Sequence, residues 1–487
     1  MKKINEVVEK KNGKYPEKVL QFGEGNFLRA FVDWMIDEAN DEGLFGGSIV
    51  LCQPIAQGMV ARLNAQDNVY TLVMRGLEKG KKTENVKVIT SVSRGVNPYE
   101  EYDSYIALAK SKDLKVIVSN TTEAGISYGE GDKLDDRPPT SYPAKICSFL
   151  YTRYKHFNGD PALGILLLPV ELIEDNGPVL KRIVYQYAKE WNLGDGFTKW
   201  LDSSCTFANT LVDRIVTGYP RNEAAEYEEK FGYKDDMIDT SEVFNLWVIE
   251  ANKKYSDMFP IAKTQANVIW TDDVKPYKMR KVRILNGAHT STVLAAYLSG
   301  YEYVGQFVKD EDFEAYLKDL IFSEVIPTIK LPKDELAQFA SAVFERFGNP
   351  FINHRLLDIS LNSVSKFVAR CLPSLEDYLS IEKKLPSHLT FSLAALIKFY
   401  DVKHNEEGYY GIRENGDTYS VKDNAENLAF FEEAWKEKDL AKLVRNVLSS
   451  KTLWQRDLTE IEGLYKEVLV NLESIQKNGV RVTIKNL

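Results

Sequence analysis

Up to about residue 270 the chain alternates short apolar runs with longer stretches in which apolar positions recur every three or four residues. Residues 19–22, 49–52, 116–119 and 164–169 are short runs rich in Val, Ile and Leu. Their apolar residues are nearly consecutive, which is the mark of strands covered on both faces. Residues 27–40, 99–109 and 144–154 carry the helical period, so the pattern predicts strands alternating with helices around a mostly parallel sheet. Residues 70–74 and 86–91, parted by the polar GLEKGKKTEN, read as a hairpin. From about Lys275 the pattern changes to successive amphipathic helices over residues 277–298, 312–326, 334–346, 387–400, 425–437 and 457–475. Two domains are therefore expected, residues 1–270 (α/β) and 271–487 (mainly helical). A chain of 487 residues is long enough for both.

The first strand runs into Gly23-Glu24-Gly25 and then a helix. At such a junction backbone N–H groups can meet a dinucleotide's pyrophosphate. A plain strand-to-helix turn accounts for the same residues, and the third glycine of the usual fingerprint is replaced by Leu28. The second strand ends in Cys52-Gln53-Pro54, where NAD sites usually place a carboxylate for the ribose. Gln53 can still hydrogen-bond a ribose, and no Arg or Lys follows at once to hold a 2′-phosphate, so NAD is favoured over NADP. Asn120-Thr121-Thr122-Glu123 follows the strand at 116–119 and is a further candidate edge of a cofactor site, although a helix cap would also explain it.

KVRILNGAHTSTVLAAYL carries Lys281, Asn286 and His289. At about 100° per residue they fall at roughly 0°, 140° and 80°, within one broad helix face. A lysine can move a proton, while Asn and His can donate hydrogen bonds to an oxygen that gains negative charge. Carbonyl reduction by hydride makes those two demands. A solvated lysine and a buried histidine would give the same letters by chance. Alternatives are few, however: there are only five histidines, no HExxH pair for a catalytic metal, and no GxSxG nucleophile elbow.

Taken together, GEGNFLRAF, the NG after GILLLPVELIED, VDRI at residues 212–215 and K-x4-N-x2-H at 281–289 resemble the long-chain polyol dehydrogenases, the family that includes mannitol dehydrogenase. The resemblance spans nearly the whole chain. It implies a metal-independent, NAD-linked enzyme with a Rossmann-type N-terminal domain and a helical C-terminal domain. It also implies Lys281 as general acid in reduction, with Asn286 and His289 holding the reacting oxygen. Asp213, Asn176, Lys366, His354 and Arg355 are its expected substrate residues; Arg370 lies nearby in sequence, and at least one Arg or Lys should meet the carboxylate that a uronate carries, with the choice among them left open. Phe22, Gly23, Gly25, Asn26, Phe27, Gln53, Thr121 and Glu123 are expected around the cofactor.

Within the family, PVELIEDNG and NPFINHRLLDISLNSVSKF point to the branch acting on hexuronates and aldonates, with reduction of tagaturonate to altronate as the expected reaction. VEL stands where mannitol enzymes tend to have a CDN-type run. Lys278 and Arg280 stand where they tend to have an acidic residue, and these two cations favour an acidic sugar. Fructuronate reduction or mannitol oxidation on the same scaffold are the nearest alternatives, and a non-catalytic nucleotide or sugar sensor is a further one.

Charge and cysteine usage narrow the picture. With 62 basic and 71 acidic side chains the net charge is −9, which argues against a nucleic-acid or anionic-membrane partner. Cys52, Cys147, Cys205 and Cys371 form no CxxC pair and suit reduced thiols in the cytoplasm. The polar start MKKINEVVEKKNGKYPEK offers no secretory h-region, and no run approaches the roughly 18 apolar residues of a membrane span. The residues leave the oligomeric state open.

Overall fold

A computed structural model describes residues 1–122 and 124–487. The chain divides into two compact units. One comprises Met1–Arg75 and Lys82–Val274, the other Gly76–Lys81 and Lys275–Leu487.

In the first unit six parallel strands form one sheet: β1 (Glu17–Phe22), β2 (Ser48–Cys52), β3 (Val92–Val96), β4 (Val116–Ser119), β5 (Leu166–Pro169) and β6 (Thr206–Phe207). Their spatial order is β3-β2-β1-β4-β5-β6, the order of a dinucleotide-binding sheet, with its switch point between β1 and β4. Successive side chains of a strand face opposite sides, and the core separates accordingly. Val19, Ile49, Leu51, Val116 and Val118 join Trp34, Met35 and Ile36 on one face. Leu20, Phe22, Val50, Cys52 and Ile117 join Phe149, Leu150, Leu180 and Val184 on the other. The second face is roofed by helices Tyr142–His156 and Asn176–Glu190. Ser141 caps the first of these by accepting from Ala144 N, with a proline in its opening turn.

The helix expected over residues 27–40 is broken. Asn26–Arg29 forms one turn, and Val32–Asp41 begins after Phe31 leaves helical geometry at φ −127°, ψ −76°. Carbonyls at the break find remote donors: the Tyr70 hydroxyl donates to Arg29 O at 3.0 Å, and Arg214 Nη1 donates to Ala30 O at 2.6 Å. The hairpin also differs from expectation. Its strands extend over Tyr70–Glu78 and Lys81–Ile89, so the polar stretch is mostly strand, and the turn is Lys79-Gly80 with φ of 51° and 74°. Two successive positive φ values are the tight hairpin geometry. A further small sheet joins Asn209–Asp213 antiparallel to Leu246–Glu250, which pairs in parallel with Val268–Thr271.

Besides the hairpin tip Gly76–Lys81, the second unit is helical apart from a three-stranded antiparallel sheet, Lys403–Asn405, Gly408–Ile412 and Thr418–Ser420, which the helical pattern did not foresee. Its centre is the helix Gly287–Leu298, buried along almost all of its length and packed on Ser387–Phe399, which in turn packs on Leu464–Asn478. Small residues allow that burial. The hydroxyls of Thr290, Ser291 and Thr292 are satisfied within the helix, donating to the carbonyls of Asn286, Gly287 and Ala288 at 2.9, 2.7 and 2.6 Å. Among the described residues no helix is long and apolar enough to cross a membrane.

Candidate functional site

At the carboxyl ends of β1, β2 and β4 the glycine turn has two distinct parts. Gly23 has φ +118°, and an added Cβ would lie 2.9 Å from Asn120 O, so both conformation and space demand glycine. Gly25 has ordinary φ, −69°, and a Cβ there would meet nothing within 4 Å. Its bare backbone therefore faces room that a ligand can use. Between them Glu24 is buried, with its Oε1 accepting from Met59 N at 3.0 Å, and burial pushes its carboxyl pKa up. A Cβ on Gly58 would overlap both Glu24 and Gln53. Gln53 donates through Nε2 to Ile55 O and Ala56 O, each at 3.0 Å. Its carbonyl oxygen remains as the group it can offer, and that oxygen is an acceptor suited to a ribose hydroxyl.

Thr121 is held at the end of β4 by Glu171, whose Oε1 accepts from Thr121 N at 3.0 Å and Thr121 Oγ1 at 2.9 Å. Glu171 Oε2 accepts from Ser119 Oγ at 3.1 Å. Burial raises its pKa against the lowering effect of these donors. Beside Thr121 a cleft of about 450 Å³ is lined by Pro54, Ile55, Asp132, Ser141 and Tyr142 among others. It thus adjoins the ends of β2 and β4, on either side of β1. Glu123 lies outside the described residues.

The other expected cofactor residues are distributed unevenly. Phe22 is wholly buried, edge-on to Tyr105 and Tyr142, and its carbonyl accepts from Asn120 N, so its ring belongs to the core. Asn26 is exposed, and its Oδ1 accepts from Arg29 Nη2 at 2.7 Å. Phe27 stacks on Phe31 with ring centroids 5.0 Å apart.

Arg29 anchors a buried network beneath the turn. Its Nη1 donates to Met237 O at 2.7 Å, its Nη2 lies 3.6 Å from Asp239, and its guanidinium packs over Tyr70. Burial raises the pKa of Asp33 to about 7 and that of Asp239 to about 6. Arg214, next to Asp213 in VDRI, is buried as well and lies over Trp34. Burial lowers its pKa to about 10. Asp213 itself is buried at the end of Asn209–Asp213. Asn176 is fully engaged: Nδ2 donates to Glu171 O and Thr210 O at 3.1 and 3.3 Å, and Oδ1 accepts from Gly177 N and Thr210 N at 2.8 and 3.0 Å.

In the second unit, Lys281–Asn286 is a π-helical segment set between Lys275–Arg280 and Gly287–Leu298, with Gly287 N donating to Val282 O. In an i→i+5 helix, residues five apart lie about one turn apart. Lys281 and Asn286 therefore come closer to one line than the 140° of a regular α-helix.

His289 follows on the same helix. It stacks on Phe347 with centroids 4.1 Å apart and meets His354 edge-on at 5.3 Å. Its Nδ1 is shielded and has no hydrogen-bond partner among the described residues. Burial, followed by the charges of His354, Arg346, Arg370 and Lys366, pushes its pKa well below the ordinary value, so the imidazole is neutral. Burial also lowers His354. Burial, with Arg370, lowers Lys366, whose Nζ donates to Ile359 O at 2.8 Å.

Arg355 is exposed; its backbone pairs with Tyr303, and its charge acts on Tyr297. Arg280 does not play the part its charge suggests. It is buried against Tyr277 and Phe339, with Nη1 2.5 Å from Glu335, so its cation is neutralised within the protein. The structure thus gathers His289, His354, Lys366 and Arg370, and adds Arg346. Arg346 comes from a separate helix, Lys333–Phe347, and no local motif marks it. Glu171 and Glu24, the acids that order the first unit's turn and loop, likewise emerge only from the fold.

Residues 17–263 match the mannitol dehydrogenase Rossmann domain, and residues 273–476 match the mannitol dehydrogenase C-terminal domain. The chain belongs to the mannitol dehydrogenase family. Relatives in this family include altronate oxidoreductases of Shigella flexneri and of Escherichia coli O139:H28, each 44% identical over 479 residues and covering 97% of both chains. Among solved structures, substrate-free D-sorbitol dehydrogenase superposes with a TM-score of 0.78 at 20% identity, covering 98% of this chain and 96% of that one. The Pseudomonas fluorescens mannitol 2-dehydrogenase ternary complex with NAD and D-mannitol gives a TM-score of 0.62 at 20% identity, covering 98% and 95%. The mannitol dehydrogenase fold therefore extends over both units.

Proposed function

We propose that this chain is an NAD-linked altronate oxidoreductase, interconverting altronate and tagaturonate by reversible hydride transfer. The observation that carries the reading is the 44% identity to altronate oxidoreductases, maintained over 97% of both chains. The site chemistry agrees with it. Bound NADH supplies the hydride that the keto carbon accepts in reduction. The open backbone at Gly25, the strained Gly23, the Gln53 carbonyl and the Glu171-held Thr121 are groups of the kind such a cofactor needs. Asn26 and Phe27 complete the turn around it, and Phe22 contributes its strand end.

As the carbonyl oxygen becomes an alkoxide, Asn286 and the neutral His289 donate hydrogen bonds to it. Lys281 then transfers a proton to that oxygen, and takes one from the hydroxyl in the reverse direction. A histidine held neutral by burial and by neighbouring cations is a donor rather than a proton source, which leaves the proton to Lys281. Lys366, His354 and Arg355 serve the sugar acid, with Asp213. Asn176, spent on Glu171 and Thr210, acts by ordering those two residues within the first unit. Four unpaired buried thiols fit a cytoplasmic setting.

The test is consumption of NADH and NADPH with tagaturonate, fructuronate and fructose in parallel. Tagaturonate with NADH should give the highest kcat/KM. A preference for fructuronate or fructose would move the enzyme to a sister activity, and no oxidation of either coenzyme with any of the three would remove the enzymatic reading.

A further inference from the structure

An aldonate differs from a hexitol by its carboxylate, and a site that takes one must supply a cation that the protein has not already neutralised. Five arginines of the second unit are already neutralised. Arg280 is paired with Glu335 at 2.5 Å, Arg283 with Asp377 at 2.6 Å, and Arg413 with Glu302 at 2.6 Å. Arg456 is paired with Glu376 and Arg481 with Asp310.

Arg355 and Arg445 also have no ion pair among the described residues, but both are exposed, and Arg370 differs from them in its burial and its place next to the His289 segment. It ends the helix Ser363–Arg370 and is partly buried, and no carboxylate among the described residues lies within ion-pair distance of it. Its one side-chain hydrogen bond is a long one, Nη1 to Thr290 Oγ1 at 3.3 Å. Thr290 already gives its own proton to Asn286 O, and it is the residue after His289. Burial holds the Arg370 pKa below its ordinary value, and its charge is felt at His289. A planar guanidinium with most of its five donors unspent, beside the reacting-oxygen residues, has the fork geometry that matches a carboxylate. Lys366 is the nearest competitor, but its ammonium is bonded to Ile359 O and lies in the field of Asp423.

We infer that Arg370 is the residue that binds the substrate carboxylate and so selects sugar acids over neutral polyols. This rests on the altronate reading of the site, and the experiment separates the two. Altronate oxidation is measured with wild type, Arg370→Gln and Arg370→Lys, with NADH affinity and melting temperature as controls. For Arg370→Gln the expected result is an altronate KM raised about 100-fold, with kcat within a few-fold of wild type and unchanged NADH binding. Arg370→Lys keeps the charge but not the fork, so its KM should rise about tenfold, which keeps the test decisive if the Gln variant does not fold. Added guanidinium should partly restore kcat/KM in Arg370→Ala, an effect that a purely structural role would not produce. An unchanged KM in the Lys or Gln variant, with wild type active on altronate, overturns the inference alone. Wild type inactive on altronate and tagaturonate overturns the parent reading as well.

Discussion

Asp33 supplies the sharpest test of the buried network under the glycine turn. Its Oδ2 lies 2.8 Å from the Tyr70 hydroxyl, which also donates to Arg29 O. Tyr70 has a single proton, so the set is best satisfied when Asp33 is neutral: the acid donates to Tyr70, and Tyr70 donates to the carbonyl freed by the helix break. Burial, which outweighs the lowering effect of Tyr70, Gln21 and Arg29, raises the Asp33 pKa from 3.8 to about 7.

The sign follows from linkage. Between these values the unfolded chain has released the proton while the folded one keeps it, so stability falls as pH rises through the window and levels off above about 7. At about 1.36 kcal/mol per tenfold change in proton affinity, the cost is roughly 1.5 kcal/mol at pH 5 and about 4 kcal/mol at pH 8. Asp33→Asn copies the neutral acid in shape and donor, so it should remove that slope. For a unit of this size about 2.5 kcal/mol corresponds to roughly 5 °C or more. The variant's gain in melting temperature over wild type should therefore be larger at pH 8 than at pH 5 by about that amount. A gain that does not grow with pH, or a loss at pH 8, would refute the assignment of a neutral Asp33.

Two further outcomes address the site itself. Gly25→Ala adds a methyl where the protein has nothing within 4 Å, so the melting temperature should hold while the NADH Kd, read by fluorescence titration, rises about tenfold or more; unchanged affinity would place the cofactor elsewhere. Lys281→Ala should lower turnover by roughly 10²- to 10⁴-fold and leave NADH binding intact, and stopped-flow hydride transfer at the wild-type rate would remove Lys281 as the proton donor.

Much of this architecture is legible in the residues because its causes are local. The sheet announces itself through runs such as Ile49, Val50, Leu51 and Cys52, apolar on both faces, and the junction through Gly23 and Gly25. What escaped notice depends on distant partners. The helix break at Phe31 needs Tyr70 and Arg214, 41 and 184 residues away from the carbonyls they satisfy. The second hairpin strand carries lysines and glutamates because much of it is exposed, so alternation alone could not extend it. Arg280 reads as a cation for the substrate, but Glu335, 55 residues on, neutralises it. Arg370 is legible as one of several cations near Lys366 that could meet a carboxylate, but the residues alone do not choose among them, since what distinguishes Arg370 is that no acid among the described residues pairs with it.

The π segment at Lys281–Asn286 makes chain length itself a functional variable. If these six residues tightened into an ordinary α-helix at unchanged length, everything downstream would turn by roughly 100° about the axis, carrying the imidazole of position 289 away from Phe347 and His354 while every reactive side chain survived. A single-codon deletion that accompanied the tightening would largely cancel that turn, so relatives shorter by one residue between positions 281 and 286 should form a regular α-helix there and keep the imidazole's direction.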